Sequence, residues 1–231
     1  MNIRQKMKLD LDTIMEKDPA ATTRYLVKRT YSGYKALCAY RRAHELYLKG
    51  HKTLAFLISA RAKRRTGAEI HPAAKIGNRI FIDHATGLVI GETAVVGDNC
   101  VLYQGVTLGG TGKETGQRHP ILEDGVMVSS GAKILGPVRI GANSKIGAGS
   151  VVLKDVPKNS TVVGVPGRLV RLDGKKIIEM DQFVPDPVVE CFERIEKRLA
   201  QIESKLNIEH KTDAFLTDNK SEKNNENIQY P

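Results

Sequence analysis

Two histidines in this chain have neighbours that would let an imidazole do chemistry. His84 stands in the string Ile82-Asp83-His84-Ala85-Thr86-Gly87, where the small residues that follow leave space beside the ring. His119 follows Arg118 in a polar, glycine-rich stretch. Glu69 precedes His84 by fifteen positions. A carboxylate beside an imidazole fixes its tautomer and stabilises the imidazolium, which makes a general base. Such a base is worth roughly 10²–10⁴ in rate. The count of fifteen fits a dyad and equally fits a surface histidine with an acidic neighbour. Of the other histidines, His44 and His51 read as surface or packing residues, His71 precedes a proline and could cap the end of a repeat, and His210 lies in a polar tail. The histidines lack the close paired spacing of a zinc site. Cys38, Cys100 and Cys191 are far apart with no Cys-x-x-Cys, so they read as reduced cytosolic thiols, and no metal is expected.

What must position these residues is a six-residue rhythm. Ile70, Ile76 and Ile82 set a first phase; Ile90, Val96, Leu102 and Leu108 a second, shifted by two; Leu122, Val128, Ile134, Ile140, Ile146 and Val152 a third. Helices repeat near 3.6 and strands near 2, so neither alone sustains six. The pattern implies a parallel β-helix, one short strand per six residues and three strands per triangular coil. A sandwich of ordinary strands would show turns every 8–12 residues and hairpin dipeptides, which are missing. The repeat breaks once, between Leu108 and Leu122, where Gly-Gly-Thr-Gly-Lys-Glu-Thr-Gly-Gln-Arg-His-Pro must loop out. Insertions in solenoids sit on one face and often carry function.

The segments around the repeat differ in character. Residues 1–66 read as an α-helical domain, with Asp18-Pro19 as a helix start and a later helix from Lys52 to Lys63. The β-helix is placed at 67–174, with its loop excursion at 109–121. Residues 175–207 read as a helical segment, since Phe192, Ile195, Leu199, Ile202 and Leu206 follow heptad spacing. Residues 208–231 are polar and expected to be disordered. Net charge is +10, much of it in the first 66 residues. No nucleic-acid reading motif or stacking aromatics accompany it, so nucleic acid is not expected. No apolar run is long enough to span a membrane and no signal segment precedes the helices, which points to a cytoplasmic protein.

Several strings resemble the bacterial serine O-acetyltransferase family of hexapeptide-repeat acyltransferases: Ile70-His71-Pro72-Ala73-Ala74-Lys75-Ile76-Gly77, the Asp83-His84-Ala85-Thr86-Gly87 corner, Tyr103 to Lys113, Arg118-His119-Pro120, Lys145 to Leu153 and Val162 to Val170. The match covers about residues 9–175 and includes Asp18-Pro19-Ala20-Ala21. It implies a left-handed β-helix and direct transfer of acetyl from acetyl-CoA to the hydroxyl of L-serine, giving O-acetyl-L-serine for cysteine biosynthesis. The family's general base falls on His84, and its carboxylate partner on Glu69, where many members have Asp. Serine binding falls on Asp18, Asp83, Arg118 and His119. Arg118 suits the substrate carboxylate, because its planar fork pairs bidentately; the two aspartates suit the ammonium. CoA candidates are Gly110, Ser130, Lys133, Ala148 and Gly149. The resemblance also implies a homotrimer, or a hexamer of two trimers. Longer members carry extra N-terminal helices that pair two trimers, and this chain starts inside that region, so a lone trimer is expected. Many members end in isoleucine and dock it into O-acetylserine sulfhydrylase; the ending Tyr230-Pro231 weighs against that partner.

Rival readings are a hexapeptide acyltransferase acting on a sugar, an antibiotic or homoserine, a β-helical carbonic anhydrase, and a structural β-helix without activity. The implied ammonium- and carboxylate-binding set favours an amino-acid acceptor.

Overall fold

A computed structural model describes residues 1–112 and 115–177, together with Arg194, Ile195, Arg198, Leu199 and 201–203. The chain divides into two units, Met1–Ile178 and Glu179–Pro231.

Four helices open the first unit: α1 (Ile3–Lys17), α2 (Arg24–Thr30), α3 (Ser32–Leu48) and α4 (Lys52–Thr66). Asn2 and Gln5 form a reciprocal capping box on α1, and the Thr23 hydroxyl accepts from the Leu26 N–H to cap α2. Asp18-Pro19 therefore ends a helix instead of starting one. Asp18 is the C-cap of α1, and its Oδ1 accepts from the Ala20 N–H in the turn that follows.

The β-helix is built coil by coil. The first coil carries β1 (Glu69–Ile70), β2 (Lys75–Ile76) and β3 (Phe81–Ile82); the second β4 (Val89–Ile90), β5 (Val95–Val96) and β6 (Val101–Leu102). The third carries β7 (Thr107–Gly109), β8 (Ile121–Leu122) and β9 (Met127–Val128); the fourth β10 (Lys133–Leu135), β11 (Arg139–Ile140) and β12 (Lys145–Ile146). Then come β13 (Val151–Val152) and β14 (Ser160–Val163). Equivalent strands pair in parallel, giving three flat faces: β1-β4-β7-β10-β13, β2-β5-β8-β11 and β3-β6-β9-β12-β14. The six-residue aliphatics form one buried column, including Ile82, Ile90, Leu102, Leu108, Leu122, Ile134, Ile140 and Ile146. Each such side chain removed from water contributes roughly 1.5–3 kcal/mol, so the column is the main source of stability in this unit.

Register explains the phase shifts. Val89 stacks on Glu69, and Val101 on Phe81, at an offset of twenty, whereas Thr107 stacks on Val89 at eighteen. The two extra residues lie in the His84 corner. Ile121 stacks on Val95 at an offset of twenty-six, which accommodates the excursion.

The last strands depart from expectation. β15 (Arg168–Leu172) runs antiparallel to β14, and β16 (Lys175–Lys176) antiparallel to β15. Residues 175–176 are thus strand, not the start of a helical segment, because the chain reverses at Asp173-Gly174, both at positive φ. In the second unit the described residues are helical, with Ile195, Leu199 and Ile202 exposed; Phe192, Leu206 and the tail 208–231 lie outside the described residues.

The first coil has no coil beneath it, and helix side chains take the place of one. Ser59 donates to the Ile70 carbonyl, His44 to Pro72, Tyr40 to Ala74, Arg41 to Gly77 and Ser32 to His84. Tyr40 also accepts from the Ile76 N–H, and Asp10 from Ile80. Asp10 and Arg41 are themselves a bidentate ion pair at 2.7 and 2.9 Å, almost wholly buried. Removing one member leaves an uncompensated buried charge. Asp10→Ala is expected to lower stability by about 3–5 kcal/mol, read as a fall in the urea midpoint. A loss nearer that of an exposed pair would show that the bridge does not join helices to coil.

Candidate functional site

His84 stands at the corner that closes the first coil. Both it and Ala85 adopt left-handed backbone, φ +58° and +63°. Non-glycine residues pay for this conformation, and here the surroundings hold it. The Thr86 N–H donates to the His84 carbonyl at 2.8 Å, Ser32 Oγ donates to the same oxygen at 2.7 Å, and Ala85 is fully buried. Gly33, next to Ser32, lies so close to the Ile82 carbonyl that a Cβ would overlap it. The strained corner drives the imidazole outward, 73% exposed, with Nε2 3.7 Å from Asp83 Oδ1.

Asp18 is tied to this corner by Tyr31, the residue before Ser32. The Tyr31 hydroxyl donates to Asp18 Oδ2 at 2.7 Å. Burial, that hydrogen bond and the charges of Asp18 and Asp83 push the phenol up to about 12. Glu69 is not hydrogen-bonded to His84. The corner does stack over its strand, with the Gly87 N–H donating to Gly67 O and the Glu69 N–H to Leu88 O. The Glu69 carboxylate instead pairs with Lys63 at 2.5 Å, both side chains being at least half exposed.

Arg118 and His119 sit at a different corner, across the β1-β4-β7 face, where the excursion returns to the coil. Arg118 pairs with Glu92 at 2.9 Å, and that hydrogen bond holds the Glu92 carboxyl below its usual value. Thr93 organises the turn: its Oγ accepts from the Arg118 and His119 N–H groups, both at 3.1 Å. Nδ1 of His119 accepts from the Thr93 N–H at 3.2 Å and lies 2.9 Å from Thr93 Oγ1. A neutral His119 therefore carries its proton on Nε2. That nitrogen faces Gly91, where a Cβ would overlap the ring, and Gly110, where one would stand 3.2 Å away. Burial first, then the Arg118 charge, lower the His119 pKa. Burial also lowers that of His71 nearby. Glu92 and Thr93 had no signal in the sequence beyond following Gly91 at a coil corner.

The CoA candidates divide between the two corners. Gly87, Gly105, Gly131 and Gly149 stack along the His84 edge with φ between +67° and +75°. Glycine adopts this backbone without cost, and at Gly87 and Gly105 a Cβ would also stand 3.4 and 3.3 Å from the next glycine of the strip. Ser130, whose carbonyl accepts from Gly149 N, and exposed Ala148 lie on this side-chain-poor strip. Lys133 is anchored there: its Nζ donates to the Gly105 carbonyl at 2.6 Å and to Thr107 Oγ1 at 3.1 Å. Gly110 belongs to the other corner, against Arg118 and His119. Among the described residues no helix is long and apolar enough to cross a membrane.

Residues 119–154 match the family model for the bacterial transferase hexapeptide (six repeats). A Bacillus licheniformis serine acetyltransferase is 50% identical over 209 residues, covering 90% of this chain and 97% of the relative. The chain belongs to the serine acetyltransferase family. Its Bacillus subtilis member is 50% identical over 202 residues, covering 87% and 93%. Among solved structures, the Neisseria gonorrhoeae serine acetyltransferase in complex with serine superposes with a TM-score of 0.71 at 50% identity, covering 73% of this chain and 69% of that one. The Brucella abortus serine acetyltransferase in complex with coenzyme A gives 0.71 at 47%, covering 72% and 67%. Membership in the serine acetyltransferase family gives the parallel coil its left hand.

The His119 environment makes a signed prediction. Arg118 disfavours the imidazolium, so Arg118→Ala is expected to raise the His119 pKa toward the ordinary value of about 6.5. NMR titration of the ring signals checks this; an unchanged or lower value would remove Arg118 as a cause.

Proposed function

We propose that the two corners act together in transferring the acetyl group of acetyl-CoA to the hydroxyl of L-serine, giving O-acetyl-L-serine and CoA, the first step of cysteine biosynthesis. The observation that carries the reading is 50% identity to a serine acetyltransferase over 90% of the chain, combined with an outward, backbone-locked His84. His84 takes the hydroxyl proton as serine oxygen bonds to the acetyl carbonyl carbon. A backbone N–H of the Gly109-Gly110 run receives the oxyanion. The C–S bond then breaks, and the imidazolium returns its proton to the CoA thiolate. Glu69 serves as the partner that holds the imidazolium. Its present pair with Lys63 is exposed, a class worth about 0–1 kcal/mol, so exchanging Lys63 for His84 costs little.

Asp18 and Asp83 receive the serine ammonium, and Arg118 with His119 the carboxylate end. In one chain these groups occupy two edges of the same face. A homotrimer lets the Arg118 corner of one copy meet the His84 corner of the next, and the glycine strip becomes a groove wall for CoA between copies, lined by Ser130, Lys133, Ala148 and Gly149, with Gly110 from the opposing corner. We assign the protein to the cytoplasm as a trimer. O-acetylserine sulfhydrylase is not assigned as a partner.

His84→Ala is expected to lower acetyl transfer to L-serine by at least about 10²-fold, followed as release of free CoA thiol, with the thermal midpoint unchanged. L-serine should exceed L-homoserine and simple sugars as acceptor. Near wild-type turnover by the variant would remove His84 as the base.

A further inference from the structure

The Tyr31-Ser32 dipeptide grips both halves of the His84 corner. Tyr31 stands between α2 and α3, and its hydroxyl donates to Asp18 Oδ2. Ser32, the next residue, holds the His84 carbonyl. The other Asp18 oxygen is engaged by the Ala20 N–H at 2.8 Å. The carboxylate is therefore fixed from both sides, by the turn after α1 and by the start of α3. The raised phenol pKa keeps the Tyr31 hydroxyl protonated, hence a donor, at any pH where the enzyme works.

We propose that Tyr31 is a positioning residue for the acceptor: its hydroxyl sets the Asp18 carboxylate at a fixed distance from His84, and so selects substrates that carry an ammonium group next to the reacting hydroxyl. The inference rests on the reading of Asp18 and Asp83 as the ammonium site. A primary ammonium is a charged donor, and the carboxylate of Asp18, held by Tyr31, and that of Asp83 beside His84 are its acceptors. Without the hydroxyl, Asp18 keeps its charge but loses its orientation, so substrate binding weakens while the proton transfer at His84 does not.

The test is a cycle of Tyr31→Phe and Asp18→Ala, each variant checked by thermal melting and assayed for KM and kcat with both substrates. Tyr31→Phe is expected to raise KM for L-serine about tenfold, the scale of a hydrogen bond to a charged group. KM for acetyl-CoA and kcat should hold within about twofold of wild type. In the Asp18→Ala background the Tyr31→Phe effect should vanish, because its partner is gone. An unchanged serine KM, an equal loss in both backgrounds, or a loss in kcat or acetyl-CoA KM instead would overturn the proposal. If Asp18→Ala does not fold, the KM split in Tyr31→Phe alone decides. An Asp18→Ala enzyme with normal serine KM would overturn the ammonium site itself; raised KM there beside normal KM in Tyr31→Phe would overturn only the role of Tyr31.

Discussion

Each coil of this molecule is the template for the next, and nearly everything else follows from that hydrogen-bonding constraint. Parallel strands two to four residues long cannot stand alone; they persist because their N–H and C=O groups are taken by the coils above and below and because one aliphatic column fills the centre. A stack of this kind tolerates extra residues only at corners. The two added residues at His84 and the eight added before Ile121 both obey that rule. The chemistry proposed for this protein is located where the template relaxes, since there a side chain is released from the repeat and aimed elsewhere.

The two corners achieve this differently. At His84 the backbone itself is forced into a left-handed bend, and α3 braces it from behind. At Arg118 and His119 a short side-chain network does the work, with Thr93 serving three N–H and ring partners at once. One corner presents an exposed imidazole and anionic groups; the other a guanidinium paired with Glu92 and an imidazole whose Nδ1 is engaged by Thr93. In the proposed reaction, these charges would face a zwitterionic acceptor with a hydroxyl between its poles.

Much of the fold was legible because it is periodic. The six-residue column gave the faces, and its two-residue slip marked the corner that holds His84. The partnerships that tune the site were not legible. Tyr31 with Asp18, Glu92 with Arg118 and Asp10 with Arg41 join residues 13, 26 and 31 apart in no repeating pattern. Glu69 with Lys63 was hidden for another reason: the turn of α4 puts a lysine within reach of a carboxylate that register alone would leave free. The antiparallel β15 and β16 escaped because apolar residues near Val170 continue the composition of the coils while the chain direction reverses.

The bracing of the first coil also fixes where the molecule ends. An open edge of parallel strands invites another chain to add itself. At one end Ser59, Tyr40, Arg41, Asp10 and Ser32 occupy those backbone groups; at the other an antiparallel hairpin turns the last face away from further stacking. Stacking of a further coil is thereby opposed along the first coil and on the β3-β6-β9-β12-β14 face.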